Sequence, residues 1–552
     1  MFALCLVVMA VILSAVTFQM GFRNLSPVPS FDDWGFLDPS SLWFGLFALH
    51  SEHRIVLSKL VFLADMRFLH GQHIAEFAVD ALMLLSLGAA YWGAVKLEPG
   101  STQMRAALAA AIFLCFAISP LTVVVLLWAM HVQNVGVNVC ALFAFLCLAR
   151  SARARPEDKI SGYLLLAAAI FFGGFASLVS SPGVLVPILL IPQAALLGMR
   201  RRVIAGLALL ALASTWYYLH GNPAQGNLIG ALKSTPVLVG KFFLAFLGSF
   251  VTQALRRSDA VAYLGLTICI GAVSIAILAL NTFVFVNRYR NERGSFPDFA
   301  LFTLTAAAFY LMSAALVAGG RTSYGISYAY TEHYNILRAL YWANLLISVP
   351  ACWNSVRAWT LVSALALCAA IAFAAWIPGK SAEWAYWSAS LNQGGAAIAS
   401  DVYDVSAWGM VNLWDKSNPS TIPFEESQAA LLRRTGQSVF QDTPPLWLGR
   451  QINELPIFDR SCSGSILTVD SGRDLKGTYV TVKGWVRAVR RSNKLPQIVL
   501  TDIRGEVRGF GALEPNIIGK VSWVGYARLD GAPGDAYFFQ AGELCRLAVV
   551  AQ

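Results

Sequence analysis

The sequence is poor in charge. Of its 552 residues only 13% are Asp, Glu, Lys or Arg, 57% are hydrophobic, and the mean hydropathy is +0.60. Soluble domains carry about 25% charged residues. A deficit this large over so long a chain excludes a water-solvated fold for most of it and places it in lipid. Histidine is also scarce, with seven in all, and no CxxC or His/Cys cluster occurs. That leaves no metal site legible in the sequence. Heptads, low-complexity tracts and internal repeats are missing too, which excludes coiled coils and solenoids.

Acidic residues are the scarcer charge, 31 against 41 basic, for a net charge of +10. Nucleic acid is excluded as the partner, because the basic residues gather at the ends of apolar segments. The groups are Arg150, Arg153, Arg155 and Lys159, then Arg200, Arg201 and Arg202, then Arg288, Arg290 and Arg293. These positions suit cytoplasmic topology anchors. Residues 2–17 have no charged segment before them and no small-residue cleavage site after them. They read as a retained membrane helix.

A helix needs about 20 mostly apolar residues to cross the hydrocarbon core. Spans are expected at 3–20, 73–95, 106–129, 133–149, 161–178, 184–199, 202–219, 261–286, 298–318, 335–351 and 358–377. Segment 236–255 is apolar enough to span but carries Lys241 and Gln253. Counting it would put Arg288, Arg290 and Arg293 outside, so it is read as interfacial or re-entrant. The expected fold is mostly α: about eleven spans, N-terminus inside, C-terminus outside. Residues 1–378 form the membrane domain, 379–462 an extracytoplasmic connection and 463–552 a β domain.

Beyond residue 377 charge, Asn, Ser and Pro return, and residues 424–434 suit a short amphipathic helix. From Ser463 short alternating runs such as "TYVTVKGWVRAV" and "KVSWVGYARL", with turn signals "IRGE" and "LDGAPGD", predict a small antiparallel β-sandwich or jelly roll. Its aromatics Trp485, Trp523, Tyr526 and Tyr537 suit a core better than a sugar-stacking face. Seven of the nine cysteines lie in or beside apolar segments as packing residues. The other two, Cys462 and Cys545, are the only pair in the soluble part, and outside the cytoplasm such a pair oxidises.

The loop 21–72 is long for a connection between membrane helices. It is rich in aromatics and interrupted by two polar clusters: "FDDWGFLD", with Asp32, Asp33 and Asp38, and "HSEHRIVLSKL", with His50, Glu52, His53, Arg54 and Lys59. A carboxylate here can take the proton of an acceptor hydroxyl, and a like-charged neighbour tunes its affinity for that proton. The alternative is that Asp32 or Asp33 caps a surface helix. Arg54 offers a planar fork suited to phosphate, or an ion pair with Glu52. Further polar residues fall at expected outer helix ends: His131, Gln133 and Asn134; Ser180 and Ser181; Tyr217, Tyr218 and His220; Arg321 and Tyr324. Most suit an interfacial belt. Arg321, beside Gly319 and Gly320, is the strongest ligand candidate.

The order of these features resembles the GT-C superfamily of bacterial membrane glycosyltransferases. The "FDDW" at 31–34, the "SEHR" at 51–54, Gln133 in a later helix and "GGRTSYG" at 319–325 carry the resemblance. Where the family has Ser-Arg-Tyr, this chain has Thr331, Glu332, His333 and Tyr334. The resemblance implies an inverting enzyme in the bacterial inner membrane, with its active site and C-terminal domain extracytoplasmic. It would move a sugar from a polyprenyl-phosphate donor to a glycan or lipid-linked acceptor. Asp33 and Asp32 would be catalytic. Arg54, Arg321, His53 and Lys59 would bind the donor phosphate, with Glu52, Gln133 and Tyr324 as further cavity residues. No cofactor is required, and a divalent cation is compatible with the acid pair. The alternatives are a transporter or flippase, or a polymerase, for lipid-linked glycans. Transporters more often show inverted repeats, and none is visible here.

The charge bias predicts that positions 40 and 500 share one membrane face. Labelling of single cysteines at the two positions by an impermeant maleimide checks this, and opposite accessibility sinks the assignment.

Overall fold

The computed structural model describes residues 2–37, 45–50, 54–98, 100–155, 158–220, 228–255, 260–291, 297–403, 422–441, 444–474, 476–488, 497–514, 519–529, 533–540 and 542–549. The chain divides into two compact units. The first comprises Met1–Gly21, Trp43–Leu60 and Phe77–Pro378, and the second Phe22–Leu42, Val61–Glu76 and Gly379–Gln552. The division after Pro378 coincides with the end of the apolar sequence. The loop after the first helix is shared: its two outer stretches, 22–42 and 61–76, belong with the C-terminal residues.

The first unit is a helical bundle. Among the described residues ten helices are long and apolar enough to cross a membrane, and a bent pair, Gln103–Ala117 and Pro120–Leu126, makes up to eleven. The 75° bend of that pair falls at Ser119-Pro120, where proline lacks the N–H that would continue the helix. The membership of the set differs from expectation at two places. Segment 184–199 falls mostly on the short apolar helix Ser181–Leu196, which is not among the ten. Segment 236–255, expected as interfacial or re-entrant, is instead the helix Pro236–Leu255, packed antiparallel against Leu264–Asn291.

The physical reason for that correction is close backbone approach. A Cβ on Gly248 would lie 1.9 Å from the Thr267 carbonyl oxygen, and one on Gly271 would lie 2.1 Å from that of Leu244. Such glycine contacts drive helix pairing in lipid, where apolar burial alone gives no preference. Thr252 and Thr267 hydroxyls hydrogen-bond across the same seam at 3.0 Å. The two charge-neutral polar groups thus satisfy each other, and Lys241 stays at an exposed position.

Several expected topology arginines also hold the bundle together. Arg153 forms a two-pronged pair with Asp298 at 2.6 and 2.8 Å. Arg150 donates to the Gly93 carbonyl, and Arg288 to those of Ala351 and Cys352. Helix C-terminal carbonyls have no intrahelical donor, so a cation there is doubly favourable.

In the second unit, helix Ile377–Ala399 leads toward a β domain. Its strands are β1 (Ile457–Asp474), β2 (Gly477–Ala488), β3 (Ile498–Thr501), β4 (Val507–Leu513), β5 (Gly519–Ala527), β6 (Ala536–Gln540) and β7 (Glu543–Val549). The expected two-sheet sandwich is in detail a closed barrel of order β1-β2-β5-β4-β3-β6-β7. Closure follows from the 18-residue β1, which pairs antiparallel with β2 and parallel with β7 through irregular registers. Bulges of this kind bend a strand and let it turn a corner. Val482, Ile498, Leu500, Trp523, Phe538 and Leu547 fill the interior. Gly484 makes room for the Trp523 indole, which would lie 2.4 Å from any Cβ there.

Cys462 on β1 and Cys545 on β7 form a disulfide across a separation of 83 residues. Arg528 binds Asp474 at 2.6 and 3.0 Å and the Asp401 carbonyl, tying residues 401–403 to the barrel. Burial alone would raise the Asp474 pKa, but Arg528 and the Tyr403 and Lys476 amides hold it below the ordinary carboxylate range.

Replacing Cys462 and Cys545 together by alanine is expected to cost the barrel about 2–5 kcal/mol. Denaturant unfolding with and without reductant checks this. An unchanged midpoint in both comparisons contradicts it.

Candidate functional site

Asp33 lies in the short 3-10 helix Phe31–Phe36, whose N-cap is Ser30. Its Oδ2 accepts from the Ser30 amide at 3.2 Å and the Ser30 hydroxyl at 3.3 Å. Asp33 is thus not the N-cap itself but the third residue of the helix, bonding back to the Ser30 cap, and this fixes the carboxylate. At 1% exposure Asp33 is withdrawn from solvent. The side chain of Asp32, and Asp38, Glu52 and His53 entirely, lie outside the described residues.

Sequence reasoning missed the residues gathered with Asp33 in the second unit. Helix Val56–Leu69 ends in the turn His70-Gly71-Gln72-His73, after which helix Ile74–Val95 begins. His70, Gly71 and His73 all have φ between 57° and 73°, a left-handed stretch that side chains avoid. Asp65 holds this turn: its carboxylate accepts from the amides of His73 and Ala75, both at 2.8 Å. It thereby caps the incoming helix with a negative charge.

The turn buries three further acid–base groups side by side. Asp65 is 1%, Glu76 3% and His73 7% exposed. His73 Nδ1 lies 3.8 Å from Glu76 Oε1, and Glu76 is within electrostatic range of both Asp65 and Asp33. Burial lowers the His73 pKa and the Asp65 charge partly restores it, so the imidazole is neutral at physiological pH. Phe62 packs on Phe36 and on the His73 ring, at 5.3 and 6.0 Å, closing the cluster with aromatics. The signal that could have found these residues was present. Glu76 is a carboxylate in the first turn of an apolar span, and ionisable groups there are costly unless used.

The loop stretches are also bound to later residues of the same unit. Ser26 donates to Asn392 at 2.8 Å, the Gln437 amide to the Met66 carbonyl at 3.0 Å, and the Ser438 amide to the His70 carbonyl at 2.7 Å.

The expected phosphate ligands lie in the first unit. Arg54 donates to the Phe47 and His220 carbonyls and sits 4.5 Å from the Tyr217 ring. Lys59 donates to the Gly45 and Ala48 carbonyls at 2.6 and 2.9 Å. Burial, then repulsion from Arg54, pushes the Lys59 pKa down to about 8. The two cations are thus neighbours, as the sequence suggested, but both are also structural, pinning the backbone at 45–48.

Arg321 ends the helix Asp298–Arg321 and donates to the Tyr334 hydroxyl at 3.2 Å, with the exposed Tyr324 ring 5.7 Å away. The His333 ring lies tilted against that of Tyr334, with centres 4.1 Å apart, and feels both Arg338 and Arg321. His131 is buried within range of His333 and binds Asn134 at 2.9 Å. Gln133 is buried one residue into the next helix. Arg338 was not foreseen. Fully buried, it binds Ser249, Asn335 and the Ala329 and Thr331 carbonyls, and so clamps the segment that carries His333 and Tyr334. Among the described residues no group of three or more His, Cys, Asp or Glu side chains is arranged to hold a metal ion.

The architecture defines a multi-pass membrane protein with a C-terminal β-barrel domain. No family model matches the chain, and neither a curated protein nor a solved structure matches it.

Asp65→Ala leaves two helix-start amides without an acceptor, at a cost of about 2 kcal/mol. Hydrogen exchange at the His73 and Ala75 amides should accelerate by about tenfold or more, since about 1.4 kcal/mol is a factor of ten. Unchanged protection would show that the cap does not hold the turn.

Proposed function

We propose that this protein is a membrane glycosyltransferase that uses a polyprenyl-phosphate-linked sugar and works on the outer face of the bacterial inner membrane. The observation that carries the reading is the buried acidic cluster around Asp33, built on a strained turn. Buried carboxylates side by side are costly and concentrate where proton transfer is needed. The Cys462–Cys545 disulfide supports an oxidising compartment for the C-terminal unit.

In the reaction, the acceptor oxygen attacks the anomeric carbon and its proton passes to the Asp33 carboxylate. The bond from the anomeric carbon to the phosphate oxygen breaks, and its electron pair leaves on the polyprenyl phosphate. One displacement inverts the anomeric centre. Ser30 aims the base through its hydrogen bonds to one oxygen. Asp65, His73 and Glu76 set the field around it and act as positioning residues. The family resemblance assigns donor-phosphate binding to Arg54, Lys59 and Arg321; Arg54 is the best suited because its guanidinium is planar and only partly covered.

Asp33→Asn keeps the hydrogen bonds from Ser30 but cannot take a proton, so transfer of labelled sugar should fall by about 10²–10⁴-fold with folding intact. For the donor, kcat/KM should fall as pH rises through about 8, because the Lys59 ammonium is lost there. Lys59→Met should remove that limb. Near-normal turnover by Asp33→Asn would overturn the transferase reading and favour a transporter of the same lipid.

A further inference from the structure

Between Asp474 and Asp502 the chain has six basic residues and no acidic one: Lys476, Lys483, Arg487, Arg490, Arg491 and Lys494. Lys476 is absorbed by Asp401 and Glu426. Lys483 and Arg487 are exposed on β2, alternating with Val482 and Val486, which point into the barrel core. Directly opposite Arg487 on β5 stands the exposed Lys520. Its ammonium lies 4.3 Å from the centre of the half-buried Trp485 ring. Trp485 in turn faces Ser522.

Like charges directly opposite in a sheet are destabilising. Elsewhere in the barrel Arg508, Arg528 and Arg546 each rest on a carboxylate. Lys483, Arg487 and Lys520 have no carboxylate partner among the described residues. From Lys483 to Arg487 the row covers about 13 Å at roughly 3.3 Å per strand residue. That length suits a chain of repeated charges better than a single ion.

We infer that the outer face of β2 and β5 binds an acidic polysaccharide, with its carboxylates or phosphates on Lys483, Arg487 and Lys520. The disulfide in the same barrel argues for an oxidising compartment, where acidic glycans and not nucleic acids are the available polyanions. A membrane surface is disfavoured because, among the described residues, the barrel's exposed large apolar side chains, Leu467 and Ile503, lie on β1 and in the β3–β4 turn, outside the row. The inference does not depend on the transferase reading.

The test uses the full chain in phosphatidylcholine nanodiscs, with fluorescent polygalacturonate oligomers and neutral dextran of equal length. Polygalacturonate should bind and dextran should not, with affinity falling steeply toward 0.5 M salt as screening grows. Lys483→Ala/Arg487→Ala/Lys520→Ala should weaken binding by about tenfold or more. Arg473→Ala/Arg504→Ala, on exposed positions outside the row, should leave it nearly unchanged. Equal loss in both variants would reduce the effect to net charge and overturn the inference. So would absence of polygalacturonate binding, with or without capture by phosphatidylglycerol vesicles that requires the three cations; such capture would assign the face to lipid.

Discussion

In hydrocarbon an unpaired peptide group costs several kcal/mol, and this constraint governs the first unit. It makes every crossing a helix and puts pressure on each place where a helix ends or bends. The chain answers with side chains. Arg150 and Arg288 cover terminal carbonyls, Arg153 locks onto Asp298, and Arg338 satisfies carbonyls of the irregular stretch near 329–331. Buried irregular backbone is tolerated only where protein groups take up its polar atoms. Arg338 therefore explains why His333 and Tyr334 can occupy a non-helical segment beside Arg321.

The second unit meets the same constraint at its acidic turn. Helix Ile74–Val95 needs partners for its first amides, and Asp65 supplies two. Satisfying them with a charged carboxylate draws His73 and Glu76 into one buried neighbourhood. A cap and a reactive cluster thus arise from one interaction. Asp33 repeats the pattern on a smaller scale, since the oxygen that completes the Ser30 cap also fixes the group proposed as the base. Structural and chemical readings of such carboxylates are not rivals, because a base must be held to be aimed.

Arg54 and Lys59 show the opposite balance. Both were legible as cations in an unusual loop, yet each hydrogen-bonds backbone carbonyls of its own unit. A sequence cannot distinguish a cation that awaits a ligand from one that pins a loop, since the partner carbonyls carry no side-chain signature. The converse holds on the barrel. The acid-free run from Lys476 to Lys494 is visible in the sequence, but only the tertiary structure brings Asp401 and Glu426 to Lys476 and, through strand register, Lys520 opposite Arg487.

Composition by itself determined the membrane class, the β character of the C-terminal domain and the pairing of Cys462 with Cys545. Each rests on local patterning or on counting, which need no knowledge of distant contacts. Tertiary structure alone decided that 236–255 packs as a full helix, because backbone contact through Gly248 and Gly271 outweighs its two polar residues. It also decided that the strands close into a barrel, since closure depends on one long strand pairing on both sides. Above all it gathered Asp33, Asp65, His73 and Glu76, which lie up to 43 positions apart in the chain. Their proximity follows from a turn and a helix start, and neither leaves a periodic trace in the sequence.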